Sequence, residues 1–250
     1  MTFNLMNIDF NCDMGEGMEN DAGIMPYLSS ANIACGYHAG DAETMKRTIG
    51  LCMEHGVAAG AHPSFLDKEN FGRKEQYLDD EMLYDLISEQ LYFFEKTAFP
   101  LGCIMHHVKP HGALYNMAAK DKWLSRIILK AIKDFDENLL VYGLSGSHLI
   151  SEAEEIGLKA VNEVFADRTY QADGSLTPRL QPGALIEDAE KAVQQVLQMI
   201  NQKTVQTQSG TAIPIIADTT CIHGDGVHAQ SFAHNIYQQL KALHIGIKTI

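Results

Sequence analysis

The sequence predicts an α/β barrel built as one domain over residues 1–250. Three observations carry that expectation. Short apolar runs of strand length alternate with longer amphipathic runs along the chain. Motifs rich in His, Asp, Glu and Gly follow the strand-like runs. The length, 250 residues, is that of one such barrel. Alternation of this kind implies parallel strands joined by crossover helices. A closed or nearly closed barrel and an open, doubly wound sheet both fit it.

The elements follow from local pattern. Asn7 to Cys12 is a short strand. Asp41 to His55 reads as a helix with Asp41 as its cap. Val57 to Ala61 is extended. Asp79 to Thr97 is a helix, its apolar positions including Met82, Leu86, Leu91 and Phe94. Cys103 to Val108 is a third strand, followed by a helix over Asp121 to Phe135 and a strand at Leu139 to Tyr142. Gly146 to Glu155 is helical, Lys159 to Asn162 extended and Ala184 to Ile200 helical. The polar run from Asn201 to Gly210 reads as a surface loop. Ile213 to Ala217 and Thr220 to Ile222 are strand-like, and His228 to Leu243 is the last long helix.

Composition excludes several function classes. With 19 Lys and Arg against 32 Asp and Glu, the net charge is −13. An acidic surface repels phosphate backbones and anionic lipid, so neither nucleic acid nor membrane is an expected partner. The sequence shows no signal peptide and no apolar stretch of spanning length. The five cysteines (Cys12, Cys35, Cys52, Cys103 and Cys221) are odd in number and widely spaced, without a C-x-x-C pair. They read as reduced thiols that pack the core of a cytoplasmic protein.

Chemistry is expected where the strands end. Asp13 and Glu16 follow the first strand, and Gly60-Ala61-His62-Pro63-Ser64 closes the second. Lys109-Pro110-His111-Gly112 follows the third and Ser145 the fourth. Glu163 to Arg168 and His223-Gly224-Asp225 follow the later ones. In a barrel these C-terminal strand ends open on one face, so residues distant in sequence surround one cavity. Asn32 to Asp41 adds a glycine-rich loop before a helix. Histidine suits proton transfer and metal ligation near neutral pH, and His38, His62, His111 and His223 share this placement. Lys109 is suited to a carboxylate, a phosphate or an oxyanion, or to a salt bridge with a neighbouring acid. Arg73 and Arg168 match carboxylates in two-point geometry. Asp13, His38 and His62 are residue types that hold a divalent metal, although no H-E-x-x-H spacing is present. A G-x-S-x-G elbow and a Walker A loop are both missing from the sequence.

Taken together, Asn11-Cys12-Asp13 with Gly15-Glu16, Ser30 to Gly36 with His38 to Asp41, Gly60 to Ser64, Phe71-Gly72-Arg73, Val108 to Asn116, Glu163 to Arg168 and His223-Gly224-Asp225 resemble the LamB/YcsF family over nearly the whole chain. The resemblance implies an irregular, seven-stranded (β/α) barrel similar to glycoside hydrolase and deacetylase barrels. It also implies ATP-dependent opening of 5-oxo-L-proline to L-glutamate, in company with separate B and C subunits. ATP is then a co-substrate, and a divalent metal enters either as Mg with ATP or as a site-bound ion. The resemblance implies an active-site set of Asp13, Glu16, His38, His62, Lys109, His111 and His223. By placement at the strand ends, Asp13, Glu16, His62, Lys109 and His111 are the catalytic candidates, and Asn11, His38, Asp41, Arg73, Arg168, His223 and Asp225 the substrate-binding candidates. Some positions depart from the family pattern. The stretch between Glu16 and Asn32 is short, Asn70 and Lys74 stand where glycine and arginine are common, and Gly226-Val227-His228 differs after the His-Gly-Asp motif.

Two other readings stay open from the sequence. One is a stand-alone metal-dependent amide or carbohydrate hydrolase of deacetylase-like fold. The other is a non-catalytic subunit supporting partner enzymes. Homo-oligomerisation is also open.

Overall fold

The computed structural model describes residues 6–18, 20–224 and 229–250. In chain order it comprises β1 (Asn7–Met14), α1 (Asp21–Ile24), β2 (Ser30–Ala34), α2 (Ala42–His55), β3 (Ala58–His62), α3 (Asp80–Ala98), β4 (His107–Val108), α4 (Gly112–Lys120) and α5 (Lys122–Phe135). There follow β5 (Leu140–Leu144), α6 (His148–Glu155), β6 (Lys159–Phe165), α7 (Ala189–Gln202), β7 (Thr204–Gln206), β8 (Ala212–Pro214), β9 (Thr219–Ile222), α8 (Ala229–Ala242) and β10 (Gly246–Ile247).

Seven strands, in the order β1-β2-β3-β4-β5-β6-β9, pair in parallel, and β9 returns to pair with β1. The sheet therefore closes, which excludes the open alternative. β10 adds to the start of β1 through Asn7 and Ile8.

Strand alternation sorts the side chains of β1. Phe10, Cys12 and Met14 join the apolar core between barrel and helices. Asp9, Asn11 and Asp13 take polar partners from the other strands. Around the barrel, the helices bury one stripe each. In α3 this is Leu83, Ile87, Leu91 and Phe94, and in α5 it is Ile128, Leu129 and Ile132. Each such side chain contributes about 1.5–3 kcal/mol on burial. The helix starts are set by side-chain caps. Asp41, Asp79, Asp121, Ser147 and Asp188 each accept hydrogen bonds from the first-turn amides of α2, α3, α5, α6 and α7, each worth about 1 kcal/mol.

Several elements differ from expectation. β2 falls at Ser30–Ala34, where a loop is expected from Asn32 onward. The third strand keeps only His107 and Val108 of the predicted Cys103 to Val108. α4 is unanticipated, and α7 starts at Ala189, not Ala184, because its cap is Asp188. The polar stretch from Asn201 to Gly210 contains the end of α7 and the strand β7, which pairs antiparallel with β8. Ile213 consequently belongs to a hairpin outside the barrel. Among the described residues no helix is long and apolar enough to cross a membrane.

Candidate active site at the barrel mouth

Polar side chains fill the barrel from its base. Asp9 is buried and accepts from Ser29 Oγ (2.6 Å), Ser30 Oγ (2.7 Å), Thr219 Oγ1 (2.6 Å) and Tyr142 OH (3.1 Å). Above it, Asn11 donates to Thr219 Oγ1 at 2.7 Å. His107 Nε2 donates to Asn32 Oδ1 at 2.8 Å, and its ring stacks on Tyr142 with centroids 4.1 Å apart. Gly60 makes room for His107, since a Cβ at that position would collide with the imidazole. Asn32 Nδ2 in turn donates to Asn11 Oδ1 and Asp13 Oδ1, both at 2.8 Å.

At the mouth, Lys109 Nζ lies 2.9 Å from Asp13 Oδ1 and 2.8 Å from Glu163 Oε1, with only 2% of its side chain exposed. Burial works against this ammonium, but Asp13 foremost and also Glu163 hold its proton affinity well above the usual lysine value. Asp13 behaves reciprocally. Desolvation would raise its carboxyl, yet His62 and Lys109 hold it well below the usual range, so it stays ionised. Glu163 is braced on its other oxygen by Tyr115 OH at 2.7 Å. The lysine charge thus serves two carboxylates, Asp13 on the cavity wall and the fully buried Glu163, the salt-bridge role left open by the sequence.

Beside this group, three imidazoles meet one carboxylate. His62 Nε2 lies 2.9 Å from His111 Nδ1 and 3.4 Å from Asp13 Oδ2. Glu16 Oε1 lies 3.2 Å from His38 Nε2 and 3.4 Å from His111 Nδ1. His38 and His111 stack nearly parallel, with centroids 3.8 Å apart. Burial first, then neighbouring imidazoles, push both rings well below the ordinary histidine value, so they are neutral. The Glu16, His38, His62 and His111 ligand atoms lie within 4.8 Å of one another, a grouping able to hold a metal ion. It differs from the expected Asp13, His38 and His62 set. Asp13 stands at its edge, beside His62, and Glu16 and His111 take part.

Local backbone explains the convergence. After β1, Gly15 turns with φ +70° and donates its amide to the buried Asp21 carboxylate at 2.8 Å, which swings Glu16 inward. The loop after β3 folds back so that Gly72 lies against His38, His111 and Gly112. A Cβ on Gly112 would sit 2.5 Å from the Gly72 carbonyl oxygen, so neither glycine can be enlarged. Phe71 adopts a left-handed φ of +56°, unusual for a bulky residue, and thereby points its carbonyl at His111 Nε2 (3.0 Å). Gln90 of α3 clamps Ser64 through both backbone groups, and Ser64 Oγ meets His38 Nδ1 at 2.9 Å.

These groups open into a cavity of about 690 Å³, whose wall includes Asp13, Glu16, His62, Lys109 and His111. Its lining also includes Arg73, Arg168 and His223. Arg73 lies over the Phe71 ring at 4.8 Å. Arg168 is buried and donates to the Thr177 carbonyl at 2.5 Å, while its Nε is buried without a hydrogen-bond partner. His223 Nδ1 pairs with Asp167 Oδ2 at 2.7 Å, and His223 keeps the buried Asp167 carboxyl below its usual value despite desolvation. Two expected binding residues lie elsewhere. Asp41 is exposed and caps α2 through the Thr44 amide. Asn11 is fully buried beneath the mouth. Asp225 lies outside the described residues. A hollow of about 1190 Å³ along α7 is larger, but among the described residues its lining is mostly helix-surface amides and charges without a histidine. The histidine and carboxylate cluster therefore lines the cavity at the barrel mouth and not this hollow.

Glu163, Asp167, Ser64 and Phe71 escape the sequence-based site list. Glu163 left a signal, being an acid inside a strand that is buried from Val161 to Phe165. Phe71 acts through its carbonyl, which no side-chain pattern reveals. The five cysteines are unpaired and four are buried. Burial pushes the Cys12 and Cys221 thiols well up and takes Cys35 and Cys52 to about 12, which favours the protonated thiol in each.

Comparison with known proteins agrees with this architecture. The LamB/YcsF family model matches residues 8–250. A protein from Tolumonas auensis, named as the A subunit of 5-oxoprolinase, is 49% identical over 251 residues, covering 98% of this chain and all of that one. The Bacillus subtilis protein of the same name is 48% identical, with 98% of each chain covered. Among solved structures, a lactam utilization protein from Thermus thermophilus superposes with a TM-score of 0.92 at 36% identity, covering 98% of this chain and all of its own. A family 4 carbohydrate esterase from Streptomyces lividans shares the fold alone, with a TM-score of 0.50 at 10% identity over 98% of this chain and 93% of its own. A family match over almost the full length, joined to relatives nearly half identical, places the chain in the LamB/YcsF family.

Proposed function

We propose that this chain is the A subunit of an ATP-dependent 5-oxoprolinase, a hydrolase that opens the cyclic amide of 5-oxo-L-proline to L-glutamate together with separate B and C subunits. The name borne by relatives at 48–49% identity supports the reading. The single structural observation that carries it is Asp13, a carboxylate on the cavity wall held ionised between Lys109 and His62.

A five-membered lactam is a stable amide, and water attacks it only after its carbonyl has been activated. ATP supplies that activation by phosphorylating the amide oxygen. In the balanced reaction, one lactam, one ATP and two waters give glutamate, ADP and phosphate. Asp13 takes a proton from water directed at the activated carbon. Lys109 fixes Asp13 in place and keeps it charged. His223, paired with Asp167, hands a proton to the departing ring nitrogen. Arg73 and Arg168 of the cavity lining receive the substrate carboxylate or the phosphoryl group. The unpaired cysteines fit a reducing compartment, and we assign the protein to the cytoplasm on that ground.

The test is glutamate release from 5-oxoproline by the chain co-purified with its B and C subunits, with and without ATP. Turnover is expected only with ATP, and Asp13→Asn is expected to lower it by about 10²–10⁴-fold. An assembled complex without turnover refutes the reading, and full activity in Asp13→Asn refutes the role given to that residue.

A further inference from the structure

We propose that Glu16, His38, His62 and His111 form a binding site for one divalent transition-metal ion at the mouth of the barrel. The inference stands whichever reaction the cavity performs, because it rests on where the ring protons must lie. His62 Nδ1 faces the Lys109 carbonyl oxygen at 2.7 Å, and His111 Nε2 faces the Phe71 carbonyl oxygen at 3.0 Å. A carbonyl only accepts, so both of these nitrogens carry hydrogen. The remaining nitrogens, His62 Nε2 and His111 Nδ1, then face each other at 2.9 Å, with room for at most one proton between them. His38 completes the pattern. The Ser64 hydroxyl donates to the Phe65 carbonyl at 2.8 Å, so Ser64 Oγ accepts from His38 Nδ1 and the His38 Nε2 lone pair faces Glu16 Oε1 at 3.2 Å.

Four ligand atoms therefore converge with at most one proton between the facing imidazoles, an arrangement that a cation within it satisfies. Each histidine also has its outer N–H held by an oxygen, the support by which proteins fix the tautomer and orientation of metal-ligating imidazoles. The spacing suits an ion. Bonds of about 2.0–2.1 Å in a tetrahedron put neighbouring ligand atoms about 3.3 Å apart, and three of the separations here are 2.9, 3.2 and 3.4 Å. Charge agrees as well. Lys109 offsets one of the two carboxylates it touches, Asp13 and Glu163, and Glu16 beside the imidazoles adds a third, so a divalent cation brings the group to neutrality. Three imidazoles and a carboxylate suit zinc, cobalt, nickel or manganese better than calcium or magnesium. Bound beside the cavity, such an ion supplies Lewis-acid polarisation of a carbonyl oxygen.

The experiment strips the purified chain with chelator and titrates it with Co²⁺, following visible ligand-field absorption and metal content by mass spectrometry. About one Co²⁺ per chain is expected, displaced by Zn²⁺. His62→Ala is expected to abolish the absorption. Ser64→Ala keeps all four ligands and loses only the support of His38, and it is expected to weaken affinity about 10–100-fold. That variant keeps the test decisive should His62→Ala fail to fold. Circular dichroism confirms folding of each protein. The proposal is overturned if folded, stripped protein takes up no Co²⁺ or Zn²⁺. It is equally overturned if ¹⁵N spectra of the metal-free chain show His62 or His111 doubly protonated at neutral pH and added metal leaves those signals unchanged. Unaltered uptake in folded His62→Ala places the ion elsewhere and rejects this site.

Discussion

Replacing Lys109 with methionine tests the electrostatic frame of the site. Methionine has a similar length and no charge, so little cavity is created. The ammonium lies 2.9 Å from Asp13 and 2.8 Å from Glu163. Its removal leaves two buried carboxylate oxygens no more than about 6 Å apart, repelling by about 3 kcal/mol at an effective dielectric constant of 20. Loss of one partner from a buried ion pair costs about 3–5 kcal/mol, and the two figures agree in size. The sign of the pH dependence follows from Asp13. Its folded-state value is depressed, so its stabilisation is present above the unfolded value of about 3.9 and is lost as pH falls through the depressed folded value. In Lys109→Met that depression is relieved and replaced by repulsion. The variant is therefore less stable by about 3–5 kcal/mol at pH 7, and the difference narrows as the carboxylates protonate towards about pH 4. Urea denaturation of both proteins across this range measures it. A difference under about 1 kcal/mol at pH 7, or one that does not change with pH, refutes the argument.

Three further outcomes are expected. Gly60→Ala drives a methyl group into the His107 ring and should cost about 1–3 kcal/mol, lowering the melting midpoint by about 2–4 °C per kcal/mol in a chain of this size. Asp41→Ala removes the α2 cap and should lower stability by about 1 kcal/mol while leaving turnover of the assembled complex unchanged; a large rise in KM would instead return Asp41 to substrate binding. Asp167→Asn breaks the 2.7 Å pair with His223 and should reduce turnover by about 10²–10⁴-fold with the fold intact. Because the Asp167 carboxyl is depressed in the folded chain, the stability gap between wild type and Asp167→Asn is full at neutral pH and closes as pH falls below about 4.

What the sequence disclosed depends on how local each determinant is. The helices α2, α3 and α5 were legible because a capping Asp and a 3.6-residue apolar stripe act within the segment itself. The strand β2 was not. Its residues, Ser-Ala-Asn-Ile-Ala, place Ser30 and Asn32 toward polar partners in the barrel and carry little apolar signal. β4 contributes only two residues to the sheet, so its extent is set by its neighbours and not by its own composition. In the site, the strand-end placement of Asp13, His62, Lys109 and His111 could be read from the alternation alone. The partners that give them meaning could not. Glu163 reaches Lys109 from 54 positions along the chain, and His111 is oriented by the carbonyl of Phe71.

The barrel interior explains why the mouth can be so well ordered. A parallel (β/α) barrel is ordinarily filled by branched apolar side chains, whereas Asp9, Asn11, Asn32, His107 and Thr219 occupy this one. Such groups are tolerated in a dry interior only when hydrogen-bonded, because each unpaired polar group costs about 1–3 kcal/mol. Their bonds run upward in sequence. His107 orients Asn32, and Asn32 donates to Asp13 Oδ1. Lys109 donates to that same oxygen. With Oδ1 committed to two donors, Oδ2 is the oxygen left beside His62 at 3.4 Å. Substituting Asn32 with leucine would satisfy the core by volume and remove this constraint, so the apolar filling usual in barrels would cost this one the orientation of its carboxylate.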